Sequence, residues 1–183
     1  MVNIERLRVI NKLKEEYMDI NNNPILNIGA TVGLPDENNL FEWRLSIIGP
    51  RDTPYNGGLF YLTLKFPENY PSYPPKVTFD TPIYHINVAS IGDEYTSLGE
   101  PMPLSILRRW RPDFKVRDII ISIYSLFYMN NIDCELSHVM AEEFRNNKSL
   151  YEEKIKYFTQ KYASPQLGYK EYKSWDFTYP NKK

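Results

Sequence analysis

One cysteine and two histidines supply this chain's thiol and imidazole chemistry: Cys134, His85 and His138. Cys134 stands four residues before His138, a spacing that would set both side chains on one helical face, where a base beside a thiol makes a nucleophile. The competing reading is a lone cysteine packed as a small hydrophobe. His85 belongs to a separate run, His85-Ile86-Asn87. Together with acidic neighbours the three residues could supply metal ligands. Neither Cys-x-x-Cys nor His-x-x-x-His spacing occurs, however, so the sequence predicts no metal site and points to no cofactor.

The elements that must position these groups are legible in hydrophobic spacing. Ile4, Leu7, Ile10, Leu13 and Tyr17 predict an N-terminal helical stripe with Arg6, Arg8, Lys12 and Glu16 outside it and Asn3 as N-cap. Asn21-Asn22-Asn23-Pro24 ends that helix, because proline disfavours helical geometry in the residue before it. A strand is predicted near Ile25 to Val32. Phe41, Trp43, Leu45 and Ile47 alternate with polar residues as in a strand buried on one face, and Leu59 to Phe66 and Lys76 to Phe79 continue the pattern. Gly49-Pro50 and Asn56-Gly57-Gly58 suit the reversal between them, so a four-stranded antiparallel meander is expected.

After Phe79 about thirty residues lack periodicity, the mark of a functional loop in a compact domain. Val116, Ile119, Ile120, Ile123 and Phe127 then predict a buried central helix. Ser137 is placed to cap a third helix reaching Asn146. Ser149 and Glu152 have capping-box spacing for a fourth, ending near Ala163. The expected class is α+β.

Composition narrows the function. The 183 residues are 42% hydrophobic with a formal net charge of −1, enough for a full core and without an overall pull toward nucleic acid. A single cysteine forms no internal disulfide, so packing must hold the fold and a reducing compartment is permitted. No segment is long and apolar enough to span a bilayer, and the first twenty residues lack a signal core, which makes a cytoplasmic location the expectation. Arg108-Arg109-Trp110-Arg111, with Lys115 and Arg117, is the one basic cluster, diluted by Asp113 and Asp118. It reads as a solvated loop or as a docking patch for an acidic face.

The runs GP-x-DTPY-x-GG at Gly49 to Gly58, YP-x-x-PPKV-x-F at Tyr70 to Phe79 and IYH-x-N at Ile83 to Asn87 resemble the ubiquitin-conjugating enzyme family, with which the order of elements over residues 1–163 also agrees. The resemblance implies that family's fold: an N-terminal helix, the meander, a central helix and two C-terminal helices. In the family a His-Pro-Asn triplet is followed within about ten residues by the cysteine that carries ubiquitin as a thioester. Here Ile86 replaces the proline, and no cysteine follows before Cys134. With Gly92 matched to the family's glycine and Leu104-Ser105-Ile106-Leu107 to its Leu-x-x-Leu run, an insertion over Asp93 to Met102 leaves Met102 or Pro103 at the nucleophile's place. His85, Asn87 and Pro103 then form a degenerate site, and Cys134 is the alternative nucleophile. His85 is expected to brace the loop.

The partner face departs too. Ser72 stands where ligase-binding members often carry an aromatic residue, and Arg111-Pro112-Asp113 replaces a Ser-Pro-Ala-like sequence. The resemblance thus implies a catalytically inactive variant that binds proteins: an adaptor or structural subunit of a larger assembly, in the cytoplasm or in an organelle. The alternative is a cofactor that positions ubiquitin for an active conjugating enzyme. Residues 164–183 are rich in aromatics, unlike a disordered tail. Their rings are expected to pack on the domain itself. The sharper alternative is docking to a partner, with Tyr172, Trp175 and Phe177 joining Trp110 and Arg111 as candidate contacts.

Overall fold

The computed structural model describes residues 4–91, 97–101 and 104–180. Helix α1 covers Ile4–Asn22. Its buried face is Val9, Leu13, Glu16 and Ile20, whereas Ile4 and Leu7 lie exposed, so the stripe is rotated from the one the sequence suggests. The reason is Glu16, which is 4% exposed. Its carboxylate accepts the Tyr70 hydroxyl at 2.9 Å and the Val116 backbone N–H at 2.7 Å, and Lys12 approaches to 3.5 Å. A buried carboxylate needs such partners, and the Val116 contact also places it at the N-terminus of the central helix, where negative charge is favoured. Asn3, the expected cap, lies outside the described residues.

Four antiparallel strands follow in the order β1-β2-β3-β4: Ala30–Gly33, Glu42–Ile48, Leu59–Lys65 and Lys76–Phe79. The first strand begins five residues later than predicted, at Ala30. Ile25 to Ile28 instead turns back on itself, with Asn27 at φ 64° and the Ile28 N–H bonded to the Ile25 carbonyl. Trp43 pairs with Leu64 and Leu64 with Val77, so one face of the meander is a continuous apolar layer. Helix α3, Val116–Leu126, lays Val116, Ile119, Ile120, Ile123 and Leu126 into the core.

The short helix α2, Ser105–Arg108, lies in the stretch expected to be irregular. Helices α4, His138–Asn146, and α5, Lys148–Tyr162, complete the fold. Ser137 caps α4 as expected, its hydroxyl accepting the Met140 N–H. The α5 cap is Asn147 rather than Ser149: its side chain accepts the Leu150 N–H while its own N–H closes α4 on the Glu143 carbonyl. One asparagine thus satisfies orphan groups of two helices. Among the described residues, no helix is long and apolar enough to cross a membrane.

The C-terminal segment wraps this frame. Tyr169 lies 3.6 Å above the Arg44 guanidinium and edge-on to Tyr61, on the outer face of the sheet. Tyr172 meets Tyr162, Phe177 meets Tyr84, Phe158 and Tyr162, and Tyr179 meets Tyr157 and Phe158. An ion pair between Lys161 and Asp176 fastens the middle of the segment to α5.

Candidate functional site

The loop after β4 delivers His85, Ile86 and Asn87 to the interior, each at most 1% exposed. Two tyrosines hold its approach: Tyr55 donates to the Tyr84 carbonyl at 2.9 Å, and Tyr84 donates to Glu143 at 2.9 Å. His85 Nδ1 accepts the Asn87 backbone N–H at 3.0 Å, so Nε2 carries the proton and points at the carbonyls of Leu126 and Met129, 2.9 and 3.1 Å away. Burial pushes its pKa down to about 4 despite those carbonyls, which leaves a neutral ring near neutral pH. Both ring nitrogens are occupied by backbone groups. In this geometry the histidine ties the loop to the end of α3 and has no nitrogen facing a reactant.

Asn87 fastens the other side. Its amide donates to the carbonyls of Asn131 and Cys134 at 2.7 and 2.9 Å, and its oxygen accepts the Asn131 N–H at 2.8 Å. Both N–H groups are spent on backbone oxygens, which leaves none aimed at a developing oxyanion. Between them, Ile86 has a backbone N–H that a proline would lack. That group is buried and donates to the Tyr151 hydroxyl at 3.3 Å, which in turn donates to Asn130 at 2.9 Å, while the Ile86 carbonyl accepts the Leu136 N–H. Tyr151, on α5, carried no signal in the sequence because its partner lies 65 residues away.

The proposed Cys134–His138 pairing is not formed. Cys134 closes a 3-10 turn, Ile132–Cys134, and His138 opens α4, so no single helix carries both. His138 is exposed, and its nitrogens face Glu135 at 2.9 Å and Glu142 at 3.5 Å. Those carboxylates raise its pKa. Cys134 is half-buried, and among the described residues no hydrogen bond reaches its thiol. Among the described residues, no three His, Cys, Asp or Glu side chains converge as metal ligands.

Met102, Pro103, Gly92 and residues 93–96 of the expected insertion lie outside the described residues. On their far side, Gly99 has φ +79°, and a β-carbon there would come within 2.1 Å of the Phe79 carbonyl oxygen. Its carbonyl accepts the Phe79 N–H at 2.7 Å and its N–H reaches Ala89, while Val88 bridges Pro101. Gly99 therefore pins the chain against the edge of β4.

The candidate partner residues divide. Trp110 is half-buried, donates its indole N–H to the Pro71 carbonyl at 2.7 Å and packs on Tyr70 and Phe114. Arg111 is exposed, paired with Asp113 and laid over the Phe114 ring. Tyr172, Trp175 and Phe177 are half-buried against their own domain; among the described residues Trp175 has one aromatic neighbour, Phe177, and Phe177 has four. A family model described as ubiquitin-conjugating enzyme matches residues 12–159.

Proposed function

Because this chain belongs to the ubiquitin-conjugating enzyme family, we propose that it is a member without thioester chemistry, serving as a protein-binding adaptor or structural subunit of a larger assembly in the cytoplasm or an organelle. The observation that carries this reading is the degenerate site itself. No cysteine lies between Asn87 and Cys134, and the two polar side chains of the triplet spend their hydrogen bonds on backbone. A site arranged in this way holds loops together and leaves the surface for binding. A charging reaction with activating enzyme, ubiquitin and ATP should give no reductant-sensitive adduct.

One observation favours a second reading, an atypical conjugating enzyme using Cys134. The Asn87 amide lies 2.9 Å from the Cys134 carbonyl, so the single thiol is borne by the segment adjoining the triplet. A reductant-sensitive ubiquitin adduct lost in Cys134→Ala would overturn the adaptor reading and establish this one. Absence of charging together with ubiquitin-dependent stimulation of an active conjugating enzyme would favour the ubiquitin-positioning role over the adaptor.

A further inference from the structure

The loop between β2 and β3 lies flush on α5: a β-carbon at Gly58 would come 2.6 Å from the Thr159 methyl, and the Leu59 N–H donates to the Ala163 carbonyl at 2.7 Å. The junction encloses a surface cavity of about 400 Å³. Arg51, Thr53 and Asn56 line it from the loop, and Lys156, Thr159 and Gln160 from the helix. Among the described residues, no carboxylate lines it. Arg51, Asn56, Lys156 and Gln160 are all exposed, and among the described residues neither Arg51 nor Lys156 has an ion-pair partner.

The carboxylates nearest in sequence are directed elsewhere. Glu152, four residues before Lys156, approaches Lys148 at 3.8 Å, and Glu153 receives the Tyr179 hydroxyl at 3.4 Å. Asp52, beside Arg51, lines the two neighbouring cavities and not this one. Two cationic and two amide side chains from two fixed elements thus line one concavity. Two cations lining one cavity repel each other, and an anion between them converts the repulsion into charge-assisted hydrogen bonds. The planar fork of arginine matches two oxygens of a phosphate, and lysine adds a point charge.

We propose that this cavity binds a phosphate monoester dianion, Arg51 and Lys156 taking its charged oxygens and Asn56 and Gln160 donating to the remainder. None of its lining residues belongs to the segments around His85 or Cys134. A phosphorylated side chain of a protein is taken as its source. That choice of source rests on the protein-binding reading; the phosphate site does not.

Backbone NMR shifts of the full chain, followed at constant ionic strength, test both parts. Inorganic phosphate should give saturable shifts confined to residues 51–58 and 156–160, with chloride at matched ionic strength giving none. Arg51→Gln and Lys156→Gln should each weaken binding at least about tenfold, since hydrogen bonds to charged groups are the strong ones. Lys14→Gln, which removes the same charge from the exposed side of α1, should leave it unchanged. Shifts that fail to saturate, or equal weakening by Lys14→Gln, would overturn the site. A phosphoserine peptide should bind more tightly than inorganic phosphate and lose that binding when unphosphorylated; no gain over inorganic phosphate would overturn the protein source and assign the cavity to a free dianion. Neither outcome alters the charging reaction, so this inference and the proposed function fail separately.

Discussion

Removing the Tyr151 hydroxyl should destabilise the protein through one backbone N–H, and restoring a proline at the site of that N–H should cancel the loss. Ile86 is fully buried, and its N–H finds the Tyr151 oxygen at 3.3 Å. Left without an acceptor, a buried donor costs about 1–3 kcal/mol; the long separation places this one at about 1–2 kcal/mol. Tyr151→Phe also removes the 2.9 Å bond to Asn130. Asn130 lines a cavity of about 280 Å³ in which water can replace the hydroxyl, so that loss adds under about 1 kcal/mol. The sum, about 2 kcal/mol, corresponds to a midpoint lower by about 4–8 °C for a chain of this size.

In an Ile86→Pro background no N–H remains, and Tyr151→Phe should then cost only the Asn130 share. Any packing loss caused by Ile86→Pro itself cancels in the double-mutant cycle, provided the remaining contacts are undisturbed. Denaturant unfolding of the four proteins at a common slope measures the coupling, expected at about 1–2 kcal/mol. Equal costs of Tyr151→Phe in both backgrounds would refute the reasoning. Should the proline variant fail to fold, amide exchange decides: Ile86 must exchange faster in Tyr151→Phe than in the parent, and an unchanged rate removes the tyrosine as its acceptor.

Four further outcomes follow from the contacts described above. Because the folded-state pKa of His85 is depressed to about 4 from an ordinary 6.5, the unfolded chain takes up the proton first as pH falls. Stability should therefore decline between about pH 6.5 and 4 by up to about 3 kcal/mol, and His85→Gln should flatten that slope in pH-dependent unfolding. His138, whose pKa is raised, contributes with the opposite sign, so His138→Gln should steepen the decline. Asn87→Ala removes three hydrogen bonds to residues 131 and 134 and should cost about 2–4 kcal/mol with faster exchange at the Asn131 amide; a cost below about 1 kcal/mol would mean the two loops hold each other by other means. In the C-terminal segment, Phe177→Ala should lower the thermal midpoint more than Trp175→Ala, since Phe177 touches Tyr84, Phe158, Tyr162 and Trp175. The reverse order would contradict the packing described here.

The sheet was readable because its signal is local. Trp43, Leu45 and Ile47 alternate with outward residues, and only one register buries them all. Where the sequence misled, the deciding partner was distant. Glu16 looks like a solvent-facing residue until Tyr70 and Val116, 54 and 100 residues away, are seen to enclose it. Ser149 and Glu152 satisfy a capping rule, but Asn147 serves both helices at once and takes the position. Cys134 and His138 have helical spacing, yet Ser137 starts the helix between them. Gly99 betrays itself only through its positive φ and the Phe79 carbonyl pressed against it.

The triplet shows the same limit at the site. From sequence, an isoleucine in place of proline reads as decay, because it adds a donor where none is expected. In the fold that donor is satisfied by Tyr151, the Ile86 carbonyl is taken by Leu136, and the flanking His85 and Asn87 have their polar atoms paired. A buried group left unpaired costs about 1–3 kcal/mol whatever the loop does. Here these bonds lock the end of α3, the segment around Cys134 and the face of α5 to one another.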